Sequence, residues 1–495
     1  MTPRSAIVIG AGIGGITAAT HLANAGLHVS VVEKNAQAGG RCGRFVRDGH
    51  WFDTGPTLLV MRLLYDAEFR ALGASLAERL ELHQVDPTYG LVFDDGSRLA
   101  LTADMASMRE QLEAIEAGSF DGFRRFLREG ERHYQLVLDE VINRDIRGPA
   151  DAFSVRALRL LIRAKPLVNH YRHMAAYFGS SRLKSAFTFQ DLYVGLSPFA
   201  APATFSLLAY TELAHGVWYP SRGMYSVVET LVELARDAGV EFTFGSTVAR
   251  ITTNGDRARG VRLADGSELR ADVVVANADL PYVYQHLLPD ARMAATMARK
   301  RFSASAISFF WGLDRTYDAL GPHTLFLADD YRENFERIER DLGVPSNPSL
   351  YVHAPTRLDP SMAPPGQDTL TAIVPVGHLS DDGRQDWAES RDRARQHVFR
   401  RLRAVGITDI AEHIKFEEVS TPVTWAERHN LAKGATHGLS HKLTQMAYFR
   451  PSNRHRRYRN LYFVGASTHP GTGVPMAMVS GRHVARRIAA EVRSR

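Results

Sequence analysis

The chain predicts an α/β fold: a parallel-sheet domain assembled from separated stretches of sequence, with a second, α+β domain inserted between them. Three observations predict it. A short apolar strand, Ala6 to Ile9, runs into Gly10-Ala11-Gly12-Ile13-Gly14-Gly15. A second apolar stretch, Val29 to Val32, ends on an acid, Glu33. Strand and turn patterns of the same kind then return twice, at residues 239–279 and 460–490.

Each element has a physical task. Gly10 lets the strand turn tightly, Gly12 lets backbone approach a pyrophosphate with no Cβ between them, and Gly15 lets the helix from about Ile13 to Ala25 pack on the strand. The helix start, reached through Ala11, Ile13 and Gly14, offers free N–H groups and a positive dipole end to an anion. Glu33 lies 18 residues beyond Gly15, where a carboxylate accepts hydrogen bonds from ribose hydroxyls and repels a 2′-phosphate. Lys34 follows it. Gly39-Gly40-Arg41 then brings backbone and a guanidinium beside the cofactor, as in glutathione-reductase-like flavoproteins, and this second turn selects FAD over NAD. Phe52-Asp53-Thr54-Gly55-Pro56-Thr57 adds Gly55, Pro56 and Thr57 to the expected contacts.

The later returns complete a split FAD domain. Val240 to Phe244 and Thr247 to Thr252 read as strands with turns at Asn254-Gly255-Asp256 and Asp265-Gly266, and Ala271 to Asn277 as a buried strand. Val248 is expected to place backbone on the adenine, and Asn277 to close over the cofactor. The last return is Leu461 to Val464, then Gly465-Ala466-Ser467-Thr468-His469-Pro470-Gly471-Thr472-Gly473-Val474-Pro475. Pro475 suits the first turn of a helix. That helix runs through Met478, Val484 and Ile488, with Arg482, Arg486 and Arg487 expected to face out. Its start, with Gly465, Thr472, Gly473 and Val474, is placed to stabilise the negative charge of a reduced flavin. Only one dinucleotide fingerprint is present, so electrons are expected to leave for an external acceptor, oxygen or a quinone.

At 495 residues and 45% hydrophobic composition the chain buries two cores. The expected division is a FAD-binding domain of 1–75, 221–279 and 421–495, and a substrate domain of 76–220 and 280–420. A single cysteine, Cys42, excludes an internal disulfide and a cysteine-rich metal site. It fits a reducing cytoplasm, and Cys42 is read as a small packed side chain near the flavin; no metal is expected. No leader is read before the first strand, and no apolar run reaches the roughly 20 residues that span a bilayer. Membrane contact is therefore expected to be peripheral.

The segments through Thr57, Ala186-Phe187-Thr188-Phe189-Gln190, Pro198-Phe199-Ala200, Gly216-Val217-Trp218-Tyr219-Pro220, Tyr351-Val352-His353-Ala354-Pro355 and Val464 to Gly473 closely resemble those of bacterial and fungal phytoene desaturases. The resemblance covers nearly the whole chain. It implies FAD-dependent removal of hydride and proton from phytoene, a C40 polyene precursor, in successive steps toward neurosporene or lycopene. It also offers Arg156 as a substrate-site residue, although Phe153 stands where an acidic companion falls in relatives. Related carotenoid desaturases or oxygenases, amine or protoporphyrinogen oxidases, and non-catalytic prenyl-lipid carriers of the same fold are the alternatives.

Residues 152–184 hold seven cations and no acid, beside Leu158, Leu160, Leu161, Ile162, Leu167 and Val168, whereas the whole chain carries only +6. The cations are Arg156, Arg159, Arg163, Lys165, Arg172, Arg182 and Lys184. A basic amphipathic helix over 152–184 is expected to lie on a membrane surface and border the substrate entry. The second basic run, Arg454 to Arg459, comes without a nucleic-acid-binding motif, and no nucleic acid is expected as a partner. Tyr193, Phe187, Phe189, Phe199 and Trp218 are candidates for a tunnel wall. His353 and His469 are more often structural than proton-accepting.

Overall fold

The computed structural model describes residues 4–493 apart from 147, 149–150, 152, 156, 158–159, 161–162, 164 and 166. The first strand (β1, Ser5–Ile9) is buried from Ala6 onward, as a strand covered on both faces must be. It pairs in parallel with β2 (His28–Val32) on one side and Val273–Ala276 on the other. Glu241–Thr243 and Leu461–Phe463 complete a five-stranded parallel sheet drawn from three separated stretches of chain.

Helix α1 (Ile13–Asn24) packs between the helices Tyr225–Asp237 and Val474–Arg493. Its contact with the last of these is backbone to backbone. A Cβ on Gly481 would lie 2.7 Å from the Gly14 carbonyl oxygen and 2.8 Å from the Ala18 nitrogen. The three arginines expected to face outward divide. Arg486 is exposed, but Arg482 is buried, its Nε 2.8 Å from Glu68 Oε1, and Arg487 is partly buried beside Glu491 at 3.7 Å. The helix Arg62–Ala71 covers that face of the C-terminal helix, and its buried Glu68 compensates the Arg482 charge.

The second sheet has seven strands in the order Ile414–Ser420, Ser305–Leu313, Asp368–Val376, Leu350–His353, His323–Leu327, Tyr89–Phe93 and Arg98–Leu101. All pairs are antiparallel except His323–Leu327 with Tyr89–Phe93. Successive side chains of a strand point to opposite faces, and both long strands are largely buried, one face apolar and the other mixed with Ser308, Thr369 and Thr371. Ile307, Phe309, Trp311, Leu370, Ala372 and Val374 share a core with Ala394, Val398 and Leu402 of the helix Trp387–Ala404. The intervening Ala306, Ser308, Ile373 and Pro375 line an internal cavity.

The described residues do not form one helix over 152–184. Lys165 has φ +46°, and the residue before a proline, here Pro166, is disfavoured from the right-handed helical region. The chain is non-helical from Leu167 to Asn169, then forms two short helices, His170–Met174 and Ser181–Ala186, the first capped by Asn169 Oδ1 on the Arg172 N–H (2.8 Å). Three of its cations serve the fold: Lys165 pairs with Glu129 (3.8 Å), Arg182 with Asp95 (2.6 Å), and Lys184 lies over the Tyr171 ring. Arg156, Arg159, Leu158, Leu161 and Ile162 lie outside the described residues. Arg454 and Arg459 of the second basic run are also engaged, with Glu491 and Asp256. Among the described residues no helix is long and apolar enough to cross a membrane.

Candidate active site

A cavity of about 580 Å³ is walled by both sheets, within the range of small-molecule sites. From the β1–α1 turn and the end of β2 it takes Gly10, Gly12, Ile13, Gly14, Glu33 and Lys34. The following turns give Gly40, Arg41, Gly55, Pro56 and Thr57, and the distant returns give Val248, Asn277, Gly465, Thr472, Gly473 and Val474. Sequence positions hundreds of residues apart thus meet at one wall. Ala11 and Gly15 do not reach it. Ala11 donates its N–H to Glu33 Oε2 (2.8 Å) and acts on the site only through that carboxylate. Gly15 packs α1 on β1, since a Cβ there would stand 2.3 Å from the Gly10 carbonyl oxygen.

Glu33 is buried at 5% exposure, with its other oxygen held by the backbone and side-chain N–H groups of Asn35 (2.8 and 2.9 Å). These bonds fix the carboxylate at the cavity wall, and a carboxylate has lone pairs to spare. Asn277 donates to the Gly10 carbonyl (3.2 Å) and fills the space between the glycines. A Cβ on Gly12 would meet its Nδ2 at 2.7 Å.

Arg41 is set deep among protein atoms yet keeps accessible surface, because it faces the cavity. Its Nη1 donates to the Thr436 carbonyl (2.8 Å), and among the described residues it has no ion pair. Burial lowers its pKa, with Asp279 opposing. A cation in that setting is arranged for an anionic occupant of the cavity.

Around the C-terminal turn the structure adds residues that sequence reasoning missed. His441 Nε2 accepts the Thr472 N–H (3.1 Å), so that donor is not free for a ligand. Burial, with Arg450 nearby, holds His441 far below the usual histidine range and keeps the ring neutral, as an acceptor must be. Arg450 is buried and donates to the carbonyls of Ser440, Gln445, Leu439 and Ala466, tying residues 439–445 to the turn. Burial lowers its pKa to about 9. Asp279 accepts from the Ser467 hydroxyl (2.5 Å) and the Ala432 N–H (3.2 Å), and burial raises its pKa. No local motif announces these three, because each works through contacts distant in sequence.

Away from the glycine turns the wall is apolar and aromatic. Phe189 and Tyr193 of the five aromatic candidates line it, together with Leu192, Leu207 and Leu208. Phe187, Phe199 and Trp218 do not. Phe187 stacks on Phe178, Phe199 meets Tyr171 and Tyr331, and Trp218 lies under Arg62. His353 Nδ1 donates to the Pro322 carbonyl and His469 Nε2 to that of Arg144 (2.9 and 2.7 Å), and burial takes both to about 4. Neither lines the cavity. Cys42 lines it but is buried, and burial pushes its thiol well above the ordinary range, which disfavours the reactive thiolate. Among the described residues no group of histidines, cysteines and acids is placed to hold a metal.

A fold with this parallel sheet and glycine-lined cavity is that of the FAD-binding oxidoreductases, and the chain belongs to the flavin containing amine oxidoreductase family, whose model matches residues 13–489. Within it the chain groups with phytoene desaturases. That of Fusarium fujikuroi is 41% identical, covering 98% of this chain and 89% of its own. The zeta-carotene-forming phytoene desaturase of Myxococcus xanthus is 40% identical over 98% and 94%. Among solved structures, a triple mutant of putrescine oxidase made in a redesign of cofactor binding aligns over 99% of both chains, with TM-score 0.65 and 17% identity, a likeness of fold.

The chain is thus an oxidoreductase acting on CH–CH bonds with FAD as cofactor. The residues present fit that group. Gly10, Gly12, Gly14 and Gly40 present backbone to the cavity, Arg41 is an inward-facing cation with no ion pair among the described residues, and Glu33 is a fixed acceptor at the end of β2.

Proposed function

We propose that this protein desaturates phytoene, taking a hydride and a proton for each new double bond in successive steps toward neurosporene or lycopene. The observation that carries this reading is the similarity to phytoene desaturases at 40–41% identity along nearly the whole chain, joined to a cavity whose wall beyond the glycine turns is mostly apolar.

In this reading the β1–α1 turn and Arg41 would hold the diphosphate, Glu33 the ribose, and residues 465 and 472–474 the flavin ring, with the cofactor domain formed by 1–75, 221–279 and 421–495. The bound flavin supplies the two-electron acceptor, and an external acceptor, oxygen or a quinone, restores it. The chain's own contribution is orientation and exclusion of water around a substrate that has no polar handles. Expression in a phytoene-accumulating host tests the function: extracts should gain longer-wavelength polyenes. Unchanged phytoene would overturn it.

A carotene hydrocarbon loses about 0.8 kcal/mol for each CH₂ brought into water, so its transfer directly from lipid is favoured. We place this entry, and a peripheral position on the cytoplasmic membrane, at residues 153–167. Phe153, Val155 and Leu167 are 93%, 71% and 77% exposed, and the exposed Arg163 lies among them. Ala157 and Leu160 of the same segment belong to the core cluster of Val137, Val141 and Ile142, which line the cavity. Replacing Phe153, Val155 and Leu167 together by glutamate is expected to remove most liposome binding in a sedimentation assay. Binding equal to that of the native chain would sink the assignment.

A further inference from the structure

A C–H bond lost as hydride does not complete a double bond; a proton must also leave the neighbouring carbon. Once the hydride has gone, the positive charge on an allylic carbon makes that second C–H bond strongly acidic, and a weak base placed beside it suffices. Two hydroxyls stand where the glycine-turn wall of the cavity meets the apolar one. Thr57 comes from the turn of Gly55 and Pro56, and Tyr351 from the strand Leu350–His353, paired there with Ile373 of the next strand. All five residues line the cavity, and the Thr57 and Tyr351 oxygens are 2.7 Å apart. A hydrocarbon lying along the apolar wall reaches the cofactor side at this junction.

Behind Tyr351, on the adjacent strand His323–Leu327, stands His323, its Nδ1 2.7 Å from the Tyr351 oxygen. It does not line the cavity itself. The ring is 1% exposed, and its Nε2 has no hydrogen-bond partner among the described residues. It lies parallel to the rings of Tyr351 and His353, at 13° and 4°, and 6.0 Å from that of Tyr89. Burial, with His353 beside it, holds His323 far below the usual histidine range, so the ring is neutral and keeps one bare nitrogen. With the Thr57 hydroxyl donating to Tyr351, Tyr351 donates to that nitrogen, Nδ1. A path of two hydrogen bonds thus joins the cavity to a buried base.

We propose that Tyr351 takes the substrate proton while passing its own to His323. The role rests on the desaturase reading above. One substrate carbon gives up a C–H bond with both electrons to the bound flavin. At the adjacent carbon the C–H bond breaks the other way: its electron pair becomes the second bond of the new C=C, and its proton passes to the Tyr351 oxygen. The Tyr351 O–H bond breaks in turn, and its proton forms the Nδ1–H bond of His323. Tyr351 is regenerated as the phenol, and His323 ends as imidazolium, charged in a site that disfavours charge. When the product leaves and water enters, the proton returns through Tyr351 to that water, and the Thr57 hydroxyl keeps the Tyr351 oxygen aimed at the cavity throughout.

The test is anaerobic flavin bleaching by phytoene in liposomes. Tyr351→Phe keeps the ring and removes the hydroxyl. His323→Asn keeps an acceptor oxygen near the Nδ1 position but cannot take up a proton, so a histidine that only oriented Tyr351 would be replaced without loss. Each variant should bleach about a hundredfold more slowly, with the phytoene content for half-maximal rate and the affinity for FAD as in the native chain. In the FAD-free protein, nitrogen-15 spectra of labelled histidine should show His323, identified by its loss in His323→Asn, as a neutral ring bare at Nδ1 and protonated at Nε2. A near-native rate in either variant, a loss that appears in the half-maximal phytoene content instead of the rate, or a proton on Nδ1 would overturn the proposal. Failure of the native enzyme to bleach with phytoene would overturn the desaturase reading itself, and the proton path with it.

Discussion

Replacing Gly15 with alanine is expected to give a colourless protein of lowered melting temperature. The added Cβ would stand 2.3 Å from the Gly10 carbonyl oxygen and about 3 Å from the Asn277 side chain. Gly10 cannot retreat, since its N–H is bonded to the Val32 carbonyl across the sheet (2.8 Å) and its φ is +95°. Helix α1 must move off β1 instead. That movement carries Gly12, Ile13 and Gly14 out of the cavity wall and opens the backbone contact between Gly14 and Gly481. Overpacking of this kind costs about 1–3 kcal/mol, and co-purified flavin, read from its absorbance, should fall by more than about tenfold. Gly26→Ala is the control. Gly26 also has positive φ but nothing within 4 Å of the added methyl, so it should lose about 1 kcal/mol and stay yellow.

Arg41→Met is expected to separate cofactor affinity from folding. Among the described residues the guanidinium makes one hydrogen bond, to the Thr436 carbonyl, and it otherwise faces the cavity. A charge-assisted hydrogen bond to a phosphate contributes about 1.5–3 kcal/mol, so FAD should bind about 10- to 150-fold more weakly. The FAD-free protein should melt within a degree or two of the native one, while the rise in melting temperature on adding FAD should shrink in proportion to the lost affinity. Fluorescence titration and melting curves with and without FAD check both halves. Unchanged affinity would remove Arg41 from the anion site.

The cofactor half of this site was legible because its requirements are local. A tight turn and a helix packed on a strand each demand glycine at a fixed offset, and Gly10 (φ +95°) and Gly15 meet them. What eluded sequence reasoning depends on contacts across the fold. Arg482 has the spacing of a solvent-facing residue, and its burial rests on Glu68, 414 positions away, and on the Asn143 side chain (3.0 Å). His441 and Arg450 support the Thr472 and Ala466 backbone from a stretch with no repeating pattern. The proposed helix over 152–184 failed for a local reason: its charges and leucines were weighed, while the break in front of Pro166 was not.

The seven-stranded sheet has a consequence for how such a protein changes over generations. On Ser305–Leu313 and Asp368–Val376 the positions that touch the cavity are Ser305, Ala306, Ser308, Ile373 and Pro375, and from Ala306 onward they interleave with those that share a core with the helix Trp387–Ala404. Selection for a shorter, longer or differently shaped polyene therefore acts on one set of residues, and selection for persistence of the fold on the other. Drift in the first set leaves the second intact, so new specificities are accessible by single steps that keep the protein folded.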